Sequence, residues 1–168
     1  MGLGGGKGNG RMGADLEVEM AERAIEIVAR GACVKDGRLL VCRSVRRGTR
    51  YLPGGHVEWG ETSARALERD WREELGVGCE VKEFLGIEEQ VYELDGKPVA
   101  EISTVFRVEC DGVDGTEAAS AEGHIRFEWV ALDALEESGM MPKELRGALK
   151  GWLAEPGAAA GRCLSGDG

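Results

Sequence analysis

The stretch Gly54–Val77, GGHVEWGETSARALERDWREELGV, decides how the chain is read. Thr62–Leu75 contains no Gly or Pro, and Gly76 stands where a glycine commonly ends a helix. With Glu61 or Thr62 near its start, the segment therefore predicts a helix. At about 100° per residue, Leu67, Trp71 and Leu75 fall within roughly 60° of Ala64, giving an apolar stripe that can face a core. Asp70, Glu73 and Glu74 cluster at about 180–280°, and Arg65, Arg69 and Arg72 at about 80–140°. Spacings of three and four residues make the three acids neighbours on the helix surface. They also sit at its negative dipole end, where each carboxylate costs about 0.3–1 kcal/mol. Taken alone, the helix fits two readings. One is a divalent metal held between the acids, and the other is a solvated face with local pairs such as Glu68 with Arg72 and Arg69 with Glu73.

The residues ahead of the helix narrow the choice. From Gly55 the order is five residues, Glu61, seven residues, then Arg69-Asp70-Trp71-Arg72-Glu73-Glu74-Leu75-Gly76-Val77. This resembles the box of the Nudix hydrolases, G-x(5)-E-x(7)-R-E-U-x-E-E-x-G-U, where U is bulky and apolar. Leu52-Pro53-Gly54-Gly55 resembles the family's lead-in. One fixed position departs: Asp70 stands where the family has glutamate. A pattern of this length is far more specific than a short glycine motif.

The resemblance implies an α/β fold, a Nudix-type α/β/α sandwich with a mixed β-sheet. It also implies Mg²⁺ or Mn²⁺ held against the diphosphate of a small nucleoside diphosphate derivative. Carried over by position, Glu73 and Glu74 are the metal ligands, with the Gly55 carbonyl as a third and Asp70 as an inner or outer partner. Such oxygen donors suit hard cations. Arg69 is expected to orient a carboxylate of the cluster, Glu61 among them, against a simple surface ion pair, and Glu61 to brace the loop, against direct ligation of the metal. Asp70 keeps the charge but draws it back by about 1.5 Å, one bond length, which bears on turnover. In the family an acid outside the box often completes the site. Glu122 is the candidate here and Glu117 the runner-up, each weighed against an ordinary loop acid.

Further candidates for substrate contact are Arg43, Arg50, Tyr51, His56, Trp59 and His124. Arg43, Arg46, Arg47 and Arg50 can grip phosphates or form a basic surface loop. Tyr51 and Trp59 can stack on a base or pack in their loops. His56 can shape the pocket, and His124 can donate to a phosphate or be structural. Trp129 reads as core. Homodimers are common among such proteins.

Composition bounds these readings. The 168 residues amount to about one domain. Residues 1–15 read as a flexible Gly-rich leader, 16–154 as the domain, and 155–168 as a disordered Gly/Ala-rich tail. A formal charge of −10 argues against a general nucleic-acid binder. Bound cations would reverse the local sign at a diphosphate site. No apolar run reaches the length of a membrane span. Cys33, Cys42, Cys79, Cys110 and Cys163, odd in number and without a C-x-x-C pair, read as buried or incidental thiols of a reducing cytoplasm, not as disulfides or zinc ligands.

Around the helix, Ala24–Val34 and Arg38–Ser44 predict a hairpin across Asp36-Gly37. Glu80–Glu93 and Val99–Glu109 predict another across Asp95-Gly96. Asp111–Gly123 reads as a loop and Ile125–Ala131 as a strand. A short helix near Asp133–Glu137 and a last helix at about Lys143–Leu153, entered through Pro142, follow. Two function classes emerge: a metal-dependent hydrolase of diphosphate linkages, and a catalytically weakened module that binds nucleotide as a sensor or docking domain.

Overall fold

The computed structural model describes residues 25–113, 117–120, 123–155 and 163–167. Two long hairpins frame the sheet. β1 (Ile25–Lys35) and β2 (Arg38–Ser44) turn at Asp36 and Gly37, with φ of 50° and 71°. β5 (Cys79–Leu94) and β6 (Lys97–Cys110) turn at Asp95 and Gly96, with φ of 51° and 80°. Positive φ at both central residues lets a two-residue turn follow the strand twist, which is why Asp-Gly serves. Between the hairpins lie β3 (Arg50–Tyr51), β4 (Gly54–His56) and helix α1 (Ser63–Leu75). β7 (Glu117–Ala119), β8 (Ile125–Ala131), helix α2 (Lys143–Ala154) and β9 (Cys163–Asp167) follow.

The strands run in the order β7-β8-β2-β1-β6-β5-β9, with β3 on β2 and β4 on β1. β1 pairs parallel with β6, and β5 with β9; the other pairings are antiparallel. The period-2 alternation of β2 divides the core: Leu40 and Cys42 join Ala66, Leu67 and Trp71 of α1, while Leu39 and Val41 join Leu145, Leu149 and Trp152 of α2. One helix therefore covers each face of the mixed sheet, as the expected sandwich requires. Gly31 lets Trp71 lie directly on β1, since a Cβ there would come within 2.5 Å of the indole ring.

Three expectations are corrected. The Asp111–Gly123 loop contains β7, which extends the sheet beside β8. The short helix near Asp133–Glu137 is a pair of 3-10 turns, Leu132–Ala134 and Glu136–Ser138. Residues 155–168, read as a disordered tail, include β9, which pairs with β5 from Ile87 to Val91. The leader at 1–15 lies outside the described residues.

Candidate active site

Helix α1 starts where the Thr62 hydroxyl accepts from the Arg65 N–H at 3.4 Å. It ends at Gly76, with φ of 70° and its N–H bonded to the Arg72 carbonyl at 3.0 Å. These caps fix which turn carries the acids. β4 enters from the other side, against β1. Gly54, at φ 131°, lies so close to β1 that a Cβ would come within 2.0 Å of the Ala29 carbonyl oxygen. At Gly55 a Cβ would come within 2.7 Å of Asp70 Oδ2. The two glycines thus bring a bare backbone against the acid face of α1.

Arg69 organises that face. Its guanidinium donates to Glu61 through Nη2 at 2.7 Å and Nε at 3.3 Å, to Asp70 Oδ1 at 2.5 Å and to Glu73 Oε2 at 3.4 Å. A fourth partner is the His56 carbonyl at 3.1 Å. Glu61 also accepts from the Glu58 N–H at 2.8 Å, which braces the loop ahead of the helix. The Arg69 hydrogen bonds, then the Glu58 amide, hold the Glu61 carboxyl below its ordinary pKa. Asp70 moves the other way: burial pushes it up, and Glu73 and Glu61 add to the rise against the pull of Arg69. Its Oδ2 is buried with no hydrogen-bond partner. An orphaned buried acceptor costs about 1–3 kcal/mol, so this oxygen is poised for a partner.

The residues present fit a hard divalent cation. The unpartnered Asp70 Oδ2 faces a backbone with no side chain, and Glu73 and Glu74 offer further carboxylate oxygens one turn on. Among the described residues, no three acid, histidine or cysteine side chains converge closely enough to ring an ion. Arg69 stands among the carboxylates and draws Glu61, Asp70 and Glu73 towards itself.

Glu74, Gly54, Gly55 and His56 open onto a cleft of about 690 Å³ that also reaches Tyr51 and Glu101. Its floor holds charged residues that periodicity did not single out as functional. Glu101 accepts from Ser103 at 2.6 Å, Tyr92 at 3.1 Å and Arg30 at 3.3 Å, and the Arg30 guanidinium lies 5.4 Å from the centre of the Tyr51 ring. Burial alone would raise the Glu101 pKa, but Arg30 and these donors hold it down. Glu88, opposite Ser103, is fully buried with both oxygens unpartnered. Burial, then the nearby Glu101, pushes its pKa up to about 7. Glu88 stands in a strand that also carries Glu80, Glu83, Glu89 and Glu93, so no local pattern set it apart.

The other candidates are placed unevenly. Tyr51 and His56 line the cleft, and His56 Nε2 lies 3.1 Å from Glu26. Arg43 and Arg50 instead converge on Glu128, and Arg50 also donates to the Ser138 carbonyl at 3.0 Å. Arg47 is the member of that cluster at the cleft, paired with Asp95 at 2.7 Å. Trp59 is fully exposed, so the loop-packing reading fails. His124 is exposed, and its carbonyl accepts from the Val45 N–H at 2.9 Å. Trp129 is half-buried at the edge of the core under α1. Glu122 lies outside the described residues, and Glu117 stands in β7.

A mixed sheet between two helices, with an arginine-tied acidic helix braced against a glycine strand, defines a Nudix-type sandwich. The NUDIX domain family model matches residues 26–154, and the chain belongs to that family. It is 35% identical over 103 residues to a MutT-like protein of Streptomyces ambofaciens, covering 61% of each chain. It is 32% identical over 138 residues to a putative 8-oxo-dGTP diphosphatase 2 of Mycobacterium tuberculosis, covering 77% of this chain and 86% of that one. The crystal structure of a MutT protein from Methanosarcina mazei shares the fold at 24% identity and a TM-score of 0.61, covering 80% of this chain and 96% of that one. The chain thus spans about three fifths of the Streptomyces relative's length. No described helix is long and apolar enough to cross a membrane.

Proposed function

We propose that this chain hydrolyses the diphosphate linkage of a nucleoside diphosphate derivative, of the nucleoside triphosphate, ADP-ribose or dinucleoside polyphosphate class, with Mg²⁺ or Mn²⁺. The observation that carries the reading is the unpartnered Asp70 Oδ2 held against Gly55, a residue that lines the cleft. Glu73, Glu74, Asp70 and the Gly55 carbonyl would hold the cation. When bound, a divalent cation neutralises diphosphate charge and lowers the pKa of a water. Arg69 positions the carboxylates, and Glu61 fixes the loop to the helix. Tyr51 offers a ring to the nucleoside, and Arg47 a charge. The relative named as a diphosphatase of 8-oxo-dGTP supports a nucleotide substrate.

A second reading is a weakened module that binds nucleotide without turning it over. The observation favouring it is the short Asp70 side chain, drawn onto Arg69 through Oδ1. Nucleotide products formed from the three substrate classes with Mg²⁺ or Mn²⁺, resolved by chromatography and compared with Glu73→Gln and Glu74→Gln, separate the two. Turnover lost in both variants supports the hydrolase. Tight nucleotide binding without turnover in the wild type supports the module, and full activity in the variants overturns the metal assignment.

A further inference from the structure

In the core cluster that includes Ala66, Leu67 and Trp71 of α1, Cys33 and Cys110 place their sulfurs 3.3 Å apart. The sheet register explains the approach. Cys33 of β1 lies level with Val108 of the parallel neighbour β6, and Cys110 follows on the same face two residues later. Cys33 is almost fully buried and Cys110 partly so, and both line a surface cavity of about 530 Å³ with Lys35, Gly78, Glu80 and Asp111. The pair therefore has a shielded member and a reachable one. We propose that Cys33 and Cys110 form a dithiol oxidation site, closed to a disulfide by a peroxide that reaches Cys110 through this cavity.

The division of labour follows from exposure. The two sulfurs share one contact in which either can donate, and Cys110 is the partly exposed one, open to the cavity and favoured as the thiolate. The same contact, together with burial, holds Cys33 protonated. The thiolate is the nucleophile in such chemistry. Cys110 sulfur attacks one peroxide oxygen, the O–O bond breaks and hydroxide leaves, giving a sulfenic acid. Cys33 sulfur then attacks Cys110 sulfur, the S–O bond breaks, and water leaves with the Cys33 proton. In sum, two thiols are oxidised to one disulfide and one hydrogen peroxide is reduced to two waters.

Cys79 is the competing partner, since it sits directly across from Cys110 on β5. Exposed Cys163 and buried Cys42 lie elsewhere. The test is independent of the proposed hydrolysis. The reduced full chain is treated with hydrogen peroxide, alkylated with N-ethylmaleimide and read by intact mass and peptide mapping. The expected result is loss of two hydrogens and a Cys33–Cys110 cross-linked peptide, reversed by dithiothreitol. The cross-link should vanish in Cys110→Ser and persist in Cys163→Ser. A Cys79–Cys110 cross-link, or Cys110 oxidised to sulfinic acid with Cys33 still alkylated, overturns the proposal. The mapping is made on the wild type, so the result stands even if a serine variant fails to fold.

Discussion

Gly55 and Asp70 share one space: a side-chain carbon at position 55 would lie 2.7 Å from Asp70 Oδ2. The glycine of the box is therefore a steric partner of the acid that departs from the family pattern. Gly55→Ala should push Asp70 aside. A displacement of about 1 Å at a catalytic group costs on the order of 10²-fold in rate. A loss of that size in kcat, with Tm lowered only modestly, is expected in nucleotide-product and thermal-melt assays.

Asp70→Glu should extend the carboxylate by about 1.5 Å and raise turnover tenfold or more. The buried oxygen now has no partner, so added reach has something to gain. An unchanged kcat under saturating Mg²⁺ would show that the aspartate already serves as well.

Arg69→Lys keeps the charge but loses the planar fork that meets Glu61, Asp70, Glu73 and the His56 carbonyl together. Lysine has three donors and no fixed geometry. Turnover should fall by about 10²-fold, and nucleotide binding should weaken less. Equal losses in binding and turnover would mean that Arg69 contacts substrate itself.

Glu88 makes stability depend on pH in an identifiable direction. Its folded pKa of about 7 exceeds the ordinary 4.5, so between these values the native state holds a proton that the unfolded chain lacks. Stability should therefore fall as pH rises through this window, by up to about 3 kcal/mol. Arg30, Glu101, Glu89 and Glu144 act on the group throughout. Glu88→Gln should flatten the decline, leaving the variant more stable than wild type at pH 8 in urea melts. Parallel pH profiles for the two proteins would refute the assignment.

Gly31→Ala tests the seat of α1. The new methyl would come within 2.5 Å of the Trp71 ring and 3.2 Å of Val108. Overpacking of this kind costs about 1–3 kcal/mol. Urea midpoints should shift accordingly, with the slope unchanged.

The Asp-Gly turns and the α1 caps were legible because each depends on local chemistry: positive φ at Asp36, Gly37, Asp95 and Gly96, a hydroxyl at Thr62 and a glycine at Gly76. The same holds for Arg69 and Glu61, whose spacing resembled a known box and whose contact is now seen. β9 was not legible. Cys-Leu-Ser-Gly-Asp has neither alternation nor β-branched residues, and its strand exists because β5 offers it an edge. Nor was the Arg30–Glu101–Tyr92 network, which joins β1 to the β5–β6 hairpin, with Arg30 and Glu101 71 residues apart. The placement of Arg43 and Arg50 depended on Glu128, a partner from β8 that no local pattern announces.

The Arg69 fork has one more consequence. It spreads a cation over three carboxylates that would otherwise repel one another, so the chain itself offsets part of the repulsion on the acid face. The fold should then form without a bound ion. Adding a chelator should stop turnover and lower Tm only by the linkage of ion binding, leaving a folded chain, unlike proteins whose metal is their scaffold.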